Sequence, residues 1–201
     1  MSYTQAAALM DRGPSRPTLF KVRLPGGIVS RKTQDYIEFF CTATSIPGVR
    51  ANTVAVAGHE NMGVVREQPT AVIFEKPFTM QVIADTDYAA YKDLRGWFDM
   101  IAQNANQGLT GRVQRMMYYN TYTYDMELIK LEHWGDSDTN TFSLNGDDNY
   151  REVMTVRFLN AYPVTIDAIN LSTEELNTAV KFNVAFTYES YTIQGSTSGS
   201  I

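Results

Sequence analysis

The sequence predicts a mainly β fold, a β-sandwich or small barrel with one main helix at its flank. Three observations carry that prediction. The run "VKFNVAFTYE" places Val180, Phe182, Val184, Phe186 and Tyr188 on one face and Lys181, Asn183, Thr187 and Glu189 on the other. That is the period of a strand with one buried face and one wet face. About seven or eight strand-like runs recur along the chain, separated by Pro, Gly and Asn-Gly turn signals. Only one stretch, 87–104, carries a convincing apolar stripe at helical spacing.

The elements follow in order. Residues 1–17 form an arm, in which "AAALM" supports a helical turn that Gly13-Pro14 and Pro17 end. "TLFKVRL" is a strand, alternating Phe20, Val22 and Leu24 against Lys21 and Arg23, and Pro25-Gly26-Gly27 turns it. "YIEFFCTATSIPG" is predicted as a second strand, with Ile37, Phe39, Cys41 and Ala43 on one face and Pro47-Gly48 closing it. Residues 49–75 hold two β-branched runs around the tip "AGHENMG", a long hairpin with apolar residues on both faces. A lone hairpin is marginal in water. One that exposes Val54, Val56, Val64 and Val65 needs a partner, from this chain or another.

"KPFTMQVIAD" is a strand with Phe78, Met80 and Val82 inward. It leads into the helix, where Asp85, Thr86 and Asp87 supply caps and dipole-matched carboxylates. Tyr91, Leu94, Phe98 and Ile101 make its stripe, and Trp97 broadens it. "VQRMMYYNTYTYDMELIKLEHW" reads as a strand or a bent pair of strands, with Met126, Leu128 and Lys130 opposite Glu127, Ile129 and Leu131. Residues 135–150 are a polar acidic insertion with an Asn145-Gly146 turn. "REVMTVRFLNAYPV" is a strand with Met154, Val156 and Phe158 inward and Thr155 and Arg157 outward. Residues 194–201 read as a flexible end. No repeat or composition shift divides residues 1–201, so one domain is expected.

Composition excludes several functions. Net charge is −5, from 17 Lys+Arg against 22 Asp+Glu, which lacks the basic excess that duplex binding demands. A mildly acidic wall repels phosphate instead. Cys41 is the only cysteine, so no internal disulfide and no Cys-based zinc site can form. The opening residues lack a signal peptide's apolar core, and no apolar run approaches the ~18–20 residues that cross a bilayer. The expectation is a protein of a reducing cytoplasm with no membrane anchor.

Chemistry is equally sparse. His59 and His133 are far apart, beside turn residues, with no metal-ligand neighbour at useful spacing. Cys41, on an inward strand face, is an inert thiol. No Gly-rich loop leads from a strand into a helix. Asp136, Asp138 and Asn140 match the first positions of a calcium loop, but Thr141 stands where Gly is needed and Asp147 where Glu is needed. Glu174-Glu175 reads as a solvated cap. Nothing assembles a base, a nucleophile and an oxyanion site. No enzyme, metal or cofactor is expected.

The order of elements then carries a resemblance. The strand end "FFCTATSIPG", the helix segment "LRGWFDMIA", and "AYPVTIDAINLS" followed by "FNVAFTYESY" resemble the tail tube proteins of contractile-tailed, T4-like bacteriophages, from about Arg16 to Ile193. The resemblance implies two packed antiparallel β-sheets with a helix at the side and a long hairpin. It implies six subunits per ring, stacked rings, and a hollow tube. Partners would be the tail sheath protein outside, the tape-measure protein inside during assembly, and the baseplate and tail terminator at the ends. DNA would transit the lumen without specific binding, in a virion tail assembled in the host bacterial cytoplasm. On that reading the hairpin leaves its own subunit and buries Val54, Val56, Val64, Val65 and Ile73 against neighbours. Thr155, Arg157, Lys181, Asn183, Thr187 and Glu189 would approach the lumen. The 135–150 insertion is longer than the family pattern implies.

Three alternatives remain open from the residues. A baseplate tube initiator or the tube of a contractile injection system would share the fold. A carbohydrate-binding β-sandwich, of a different class, would use Tyr118, Tyr119, Tyr122, Tyr124 and Trp134 as a stacking surface.

Overall fold

A computed structural model describes residue 15 and residues 17–56, 65–103, 115–133, 150–169, 171 and 179–195. The strands are β1 (Phe20–Arg23), β2 (Cys41–Thr44), β3 (Val49–Val56), β4 (Arg66–Phe74), β5 (Phe78–Ile83), β6 (Ala102–Gln103), β7 (Arg115–Met116), β8 (Tyr124–His133), β9 (Tyr150–Ile166), β10 (Lys181–Thr187) and β11 (Ser190–Gly195). The helices are α1 (Arg31–Phe40), α2 (Ala89–Asp99) and the single turn α3 (Tyr119–Tyr122). Most of the arm at 1–17, Val64, His59, the 135–149 insertion with its calcium-like run, Trp134, Glu174-Glu175 and residues 196–201 lie outside the described residues.

Two antiparallel sheets share β9. The first contains β1, β8, the early part of β9, and β11. The second contains the end of β9, then β10, β5 and β2. The strand crosses from one sheet to the other at Asn160, which sits at φ 52. Asn is among the few side chains that adopt this left-handed conformation at low cost. Before the bulge, Val156 and Phe158 are buried; after it, Ala161 and Pro163 are. One extra residue has switched the inward parity. The Asn160 N–H donates to Asp125 Oδ1 at 3.1 Å, and its side-chain amide donates to Glu189 Oε2 at 2.6 Å.

The core lies between the sheets. Val22, Leu128, Val156 and Phe158 meet Phe78, Met80, Val82, Phe182, Val184 and Phe186 in one buried cluster. The alternation expected of 180–188 holds: Phe182, Val184, Phe186 and Tyr188 are buried, while Lys181 and Asn183 are exposed. From α2, Ala90, Leu94 and Trp97 enter the same cluster, and Asp85 caps the helix by accepting from Ala89 N–H at 3.0 Å. Trp97 is the centre of that stripe: its indole N–H donates to Tyr122 O at 2.8 Å.

Three expectations need correction. The run from Tyr36 is not one strand, because Arg31–Phe40 is helical and only Cys41–Thr44 is extended. Ser30 caps that helix by accepting from Thr33 N–H, and Thr33 and Ile37, one turn apart, are its buried pair. Phe39 and Ala43, expected inward, are exposed. The helix expected at 87–104 is shorter, ending at Asp99 before β6. Finally, the segment expected as a strand or bent pair before Tyr124 is β7 followed by the turn α3. No described helix is long and apolar enough to cross a membrane.

Candidate assembly surfaces

Three surfaces can serve contact or transport: a projecting ribbon and the outer faces of the two sheets. The ribbon is the β3–β4 hairpin, paired from Val49↔Phe74 to Val56↔Arg66 with a bulge beside Asn52. It belongs to neither main sheet. All of β3 is exposed, and in β4 only Ile73 and Phe74 are half-buried. Val54, Val56 and Val65 therefore lie open, and Val72 joins them at 63% exposure. Pairing puts Arg50, Asn52, Val54, Val56, Ala71, Gln68 and Arg66 on one face with Ile73. The other carries Val49, Ala51, Thr53, Val72 and Glu67. Apolar residues occupy both faces, as the sequence led us to expect. Pro69 lacks an N–H, a residue that strands tolerate at an edge.

The root of the ribbon is fixed to the body of the chain. Glu75 N–H donates to Gly48 O at 3.0 Å. Tyr191 OH donates to Pro47 O at 2.8 Å, its ring meeting Phe74 edge-on at 5.1 Å. Tyr188 OH donates to Glu75 O. Burial pushes the Tyr188 phenol up to about 12, with Tyr191 and Glu75 adding to it. A Cβ on Gly48 would stand 2.6 Å from Glu75 Oε2, so a larger residue there would require the Glu75 carboxylate to shift. These clamp residues escaped the sequence reading, which took Pro47-Gly48 as a plain turn and the tyrosines as strand residues. No local motif marks them, because their partners are distant in sequence.

The outer face of the second sheet is polar and nearly neutral. Asn183 stands opposite Gln81, and Ala185 opposite Thr79 and Thr165. A hydrogen-bonded row crosses three strands and the loop after β9: Thr42 Oγ1 to Gln81 Oε1 at 3.0 Å, Gln81 Nε2 to Asn183 Oδ1 at 3.1 Å, and Asn183 Nδ2 to Asp167 Oδ2 at 2.9 Å. Gln81, Asn183 and Asp167 of this row border a shallow depression of about 490 Å³. Lys181 is exposed on the same strand face, and Thr187 half-buried.

The first sheet's outer face is charged. Arg23, Glu127 and Arg157 are successive cross-strand partners. Arg23 reaches Glu38 at 3.2 Å and Glu127 at 3.3 Å, Lys21 reaches Glu152 at 3.1 Å, and Arg157 reaches Asp125 at 2.9 Å. The six residues expected at a lumen thus divide. Lys181, Asn183 and Thr187 share the second sheet, Thr155 and Arg157 lie on the first, and Glu189 sits in the connection between β10 and β11.

Among the described residues no group of three His, Cys, Asp or Glu side chains could hold a metal. Burial pushes the Cys41 thiol up to about 11, away from reactivity. Among the described tyrosines, Tyr119, Tyr122 and Tyr162 pack edge-to-face on each other and Tyr124 packs on Trp97, while Tyr118 is 86% exposed.

Against known proteins, the sequence profile described as "phage tail tube protein" matches residues 15–194. No curated protein sequence matches. Solved structures share the fold at low identity. A chain of the anti-feeding prophage baseplate aligns at TM-score 0.56 and 10% identity, covering 92% of this chain and 97% of that one. A chain of the sheath-tube complex of the extracellular contractile injection system PVC aligns at 0.50 and 12%, covering 97% and 99%. A chain of that system's sheath/tube terminator aligns at 0.53 and 11%, covering 90% and 97%.

Proposed function

The chain belongs to the phage tail tube protein family, and on that premise we propose that it is the structural subunit of the inner tube of a contractile-tailed, T4-like phage. Six copies form a ring, and rings stack into a hollow tube through which DNA passes. A sheath surrounds the tube, a tape-measure protein occupies it during assembly, and a baseplate and a terminator close its ends. The tube is built in the host bacterial cytoplasm and becomes part of the virion tail. No catalysis is involved.

One observation carries the reading: a clamped, projecting ribbon whose apolar residues find no cover in their own subunit. A monomer gains nothing from such a ribbon, and an unpaired two-stranded hairpin is a stability liability. In a tube, Val54, Val56, Val64, Val65 and Ile73 bury against neighbours, and the apolar area removed from water, at ~25 cal/mol per Å², drives polymerisation. Among the described residues, β2 pairs only with β5 and the last residues of β9 only with β10, which leaves an unpaired edge on each side of the second sheet. Edge-to-edge pairing between copies closes them into a continuous barrel.

The lumen is then lined by the second sheet's outer face. Lys181 and Asp167 are of opposite sign, and between them lie amides and hydroxyls. A wall that is wet and carries no net positive charge lets a polyanion slide, since each phosphate contact would add a release step. Thr155 and Arg157, on the first sheet, face the outer parts of the assembly, and Glu189 lies at the seam.

The test is negative-stain electron microscopy with sedimentation over a concentration series. Hollow tubes or six-fold rings support the proposal. A chain that remains a monomer and binds a glycan array refutes it.

A further inference from the structure

We propose that the basic face of the β3–β4 ribbon docks, on an adjacent copy of the chain, into the groove between β1 and α1 beside Phe39. This rests on the tube-subunit reading and adds the receiving surface.

The groove has a volume of about 370 Å³, with Leu19, Phe20, Phe39 and Leu131 as apolar walls and Asp35 and Glu38 among its lining residues. Phe39 is 82% exposed, although Ile37, two residues before it in the same helix, is fully buried. Phe40 stacks on Tyr36 at 4.5 Å and meets Phe39 edge-on at 5.1 Å, so an aromatic ledge continues past the groove. An aromatic ledge of this kind, open to water, marks a contact surface.

Charge selects the occupant. Around the groove, Arg23 is shared by Glu38 and Glu127, Lys21 is taken by Glu152, and Asp35 has no ion-pair partner among the described residues. Within the groove's own lining Asp35 and Glu38 stand against Lys21, which Glu152 pairs, so the lining carries one more carboxylate than cation; Arg31 and Lys32, one turn earlier on α1, are not lining residues. One ribbon face offers the complement: Arg50 and Arg66, neither in an ion pair among the described residues, flank Val54 and Val56. The opposite ribbon face carries Glu67, which accepts from Thr53 Oγ1, and no described cation. Only the basic face suits the groove.

Ribbon and groove are different patches of one chain, so the contact is heterologous. Such contacts repeat head-to-tail and generate rings or open helices, not closed dimers. The second-copy occupant thus agrees with the tube architecture without requiring any other protein.

The experiment is a charge swap read by tube pelleting against total concentration, with thermal melting of the unassembled chain as the folding control. Arg66→Glu alone and Asp35→Arg alone are each expected to raise the concentration needed for pelleting by roughly tenfold, and the two together to bring it back towards wild type. Phe39→Ser is expected to raise it by roughly tenfold or more while melting stays unchanged. Single variants that pellet like wild type, or a double variant no better than the singles, overturn the pairing while leaving the tube reading intact. A wild-type chain that forms neither rings nor tubes at any concentration overturns the pairing, and if it also binds a glycan array it overturns the tube reading as well.

Discussion

Replacing Val54 and Val56 together by Thr tests the ribbon where its role in assembly separates from its role in the subunit. Both valines are already partly exposed in the free chain, at 51% and 37%. Thr keeps the β-branched shape that strands favour, so the hairpin itself is undisturbed. Each change exchanges a methyl, worth about 0.8 kcal/mol when buried, for a hydroxyl whose burial without a partner costs about 1 kcal/mol or more. With only part of each side chain left to bury, that amounts to about 1–2 kcal/mol per site and about 2–4 kcal/mol per subunit contact. At 1.4 kcal/mol per decade, the concentration for half-maximal pelleting should rise roughly 30- to 1,000-fold. The assay is sedimentation of assembled material across a concentration series, paired with thermal melting of the dilute chain. Melting should move by no more than about 2 °C. Unchanged pelleting would show that the ribbon's basic face lies outside the contact. A large fall in melting temperature would show that it packs on its own subunit, and either result refutes the reasoning.

Other outcomes follow from the core and its caps. Trp97→Phe loses volume in the centre of the cluster and leaves Tyr122 O without its donor, which costs about 2–4 kcal/mol and lowers the melting temperature by about 4–16 °C. Asn160→Ala forces a Cβ residue with no local hydrogen bond into φ 52 and drops the contact to Glu189, costing about 2–3 kcal/mol. Asn160→Gly keeps the conformation and should cost less, measured by denaturant unfolding of both. Burial raises the Asp93 carboxyl, but hydrogen bonds from Thr33 and Ser30 outweigh it and hold it below its ordinary range. A depressed folded-state value means that its stabilisation is present above the usual carboxylate pKa and is lost as pH falls through the folded one. Acid unfolding curves of wild type and Asp93→Asn should therefore converge below about pH 4, and wild type should be the more stable at neutral pH.

Much of the fold was legible because period-two alternation survives wherever one strand face is buried. Phe78, Met80 and Val82, and then Phe182, Val184 and Phe186, were read inward and are inward. The ribbon's apolar residues on both faces were legible in the two β-branched runs, but whether this chain or another covers them was not, since spacing does not say what packs on a hairpin. Helix α1 was not legible, since Ile37, Phe39, Cys41 and Ala43 mimic a strand while the helical pair, Thr33 and Ile37, includes a polar residue. Its signal was the Ser30 cap, whose hydroxyl also donates to Asp93 Oδ2 at 2.8 Å and so ties the helix to α2. The bulge at Asn160 was hidden as well, because a single left-handed residue leaves no periodic trace. Parity could place Arg157 and Asn183 outward but not assign them to different sheets. That division depends on where β9 crosses over, a property of tertiary packing.

The most direct test of the account is a helical reconstruction of the assembled chain by electron cryomicroscopy, at a resolution that traces strands. The account predicts a hollow tube with β2, β5, β10 and the end of β9 around the lumen, Lys181 and Asn183 facing the channel, and each β3–β4 ribbon seated on a neighbouring subunit. A tube with α1 and α2 around the lumen, or with its ribbons free in solvent, would contradict it.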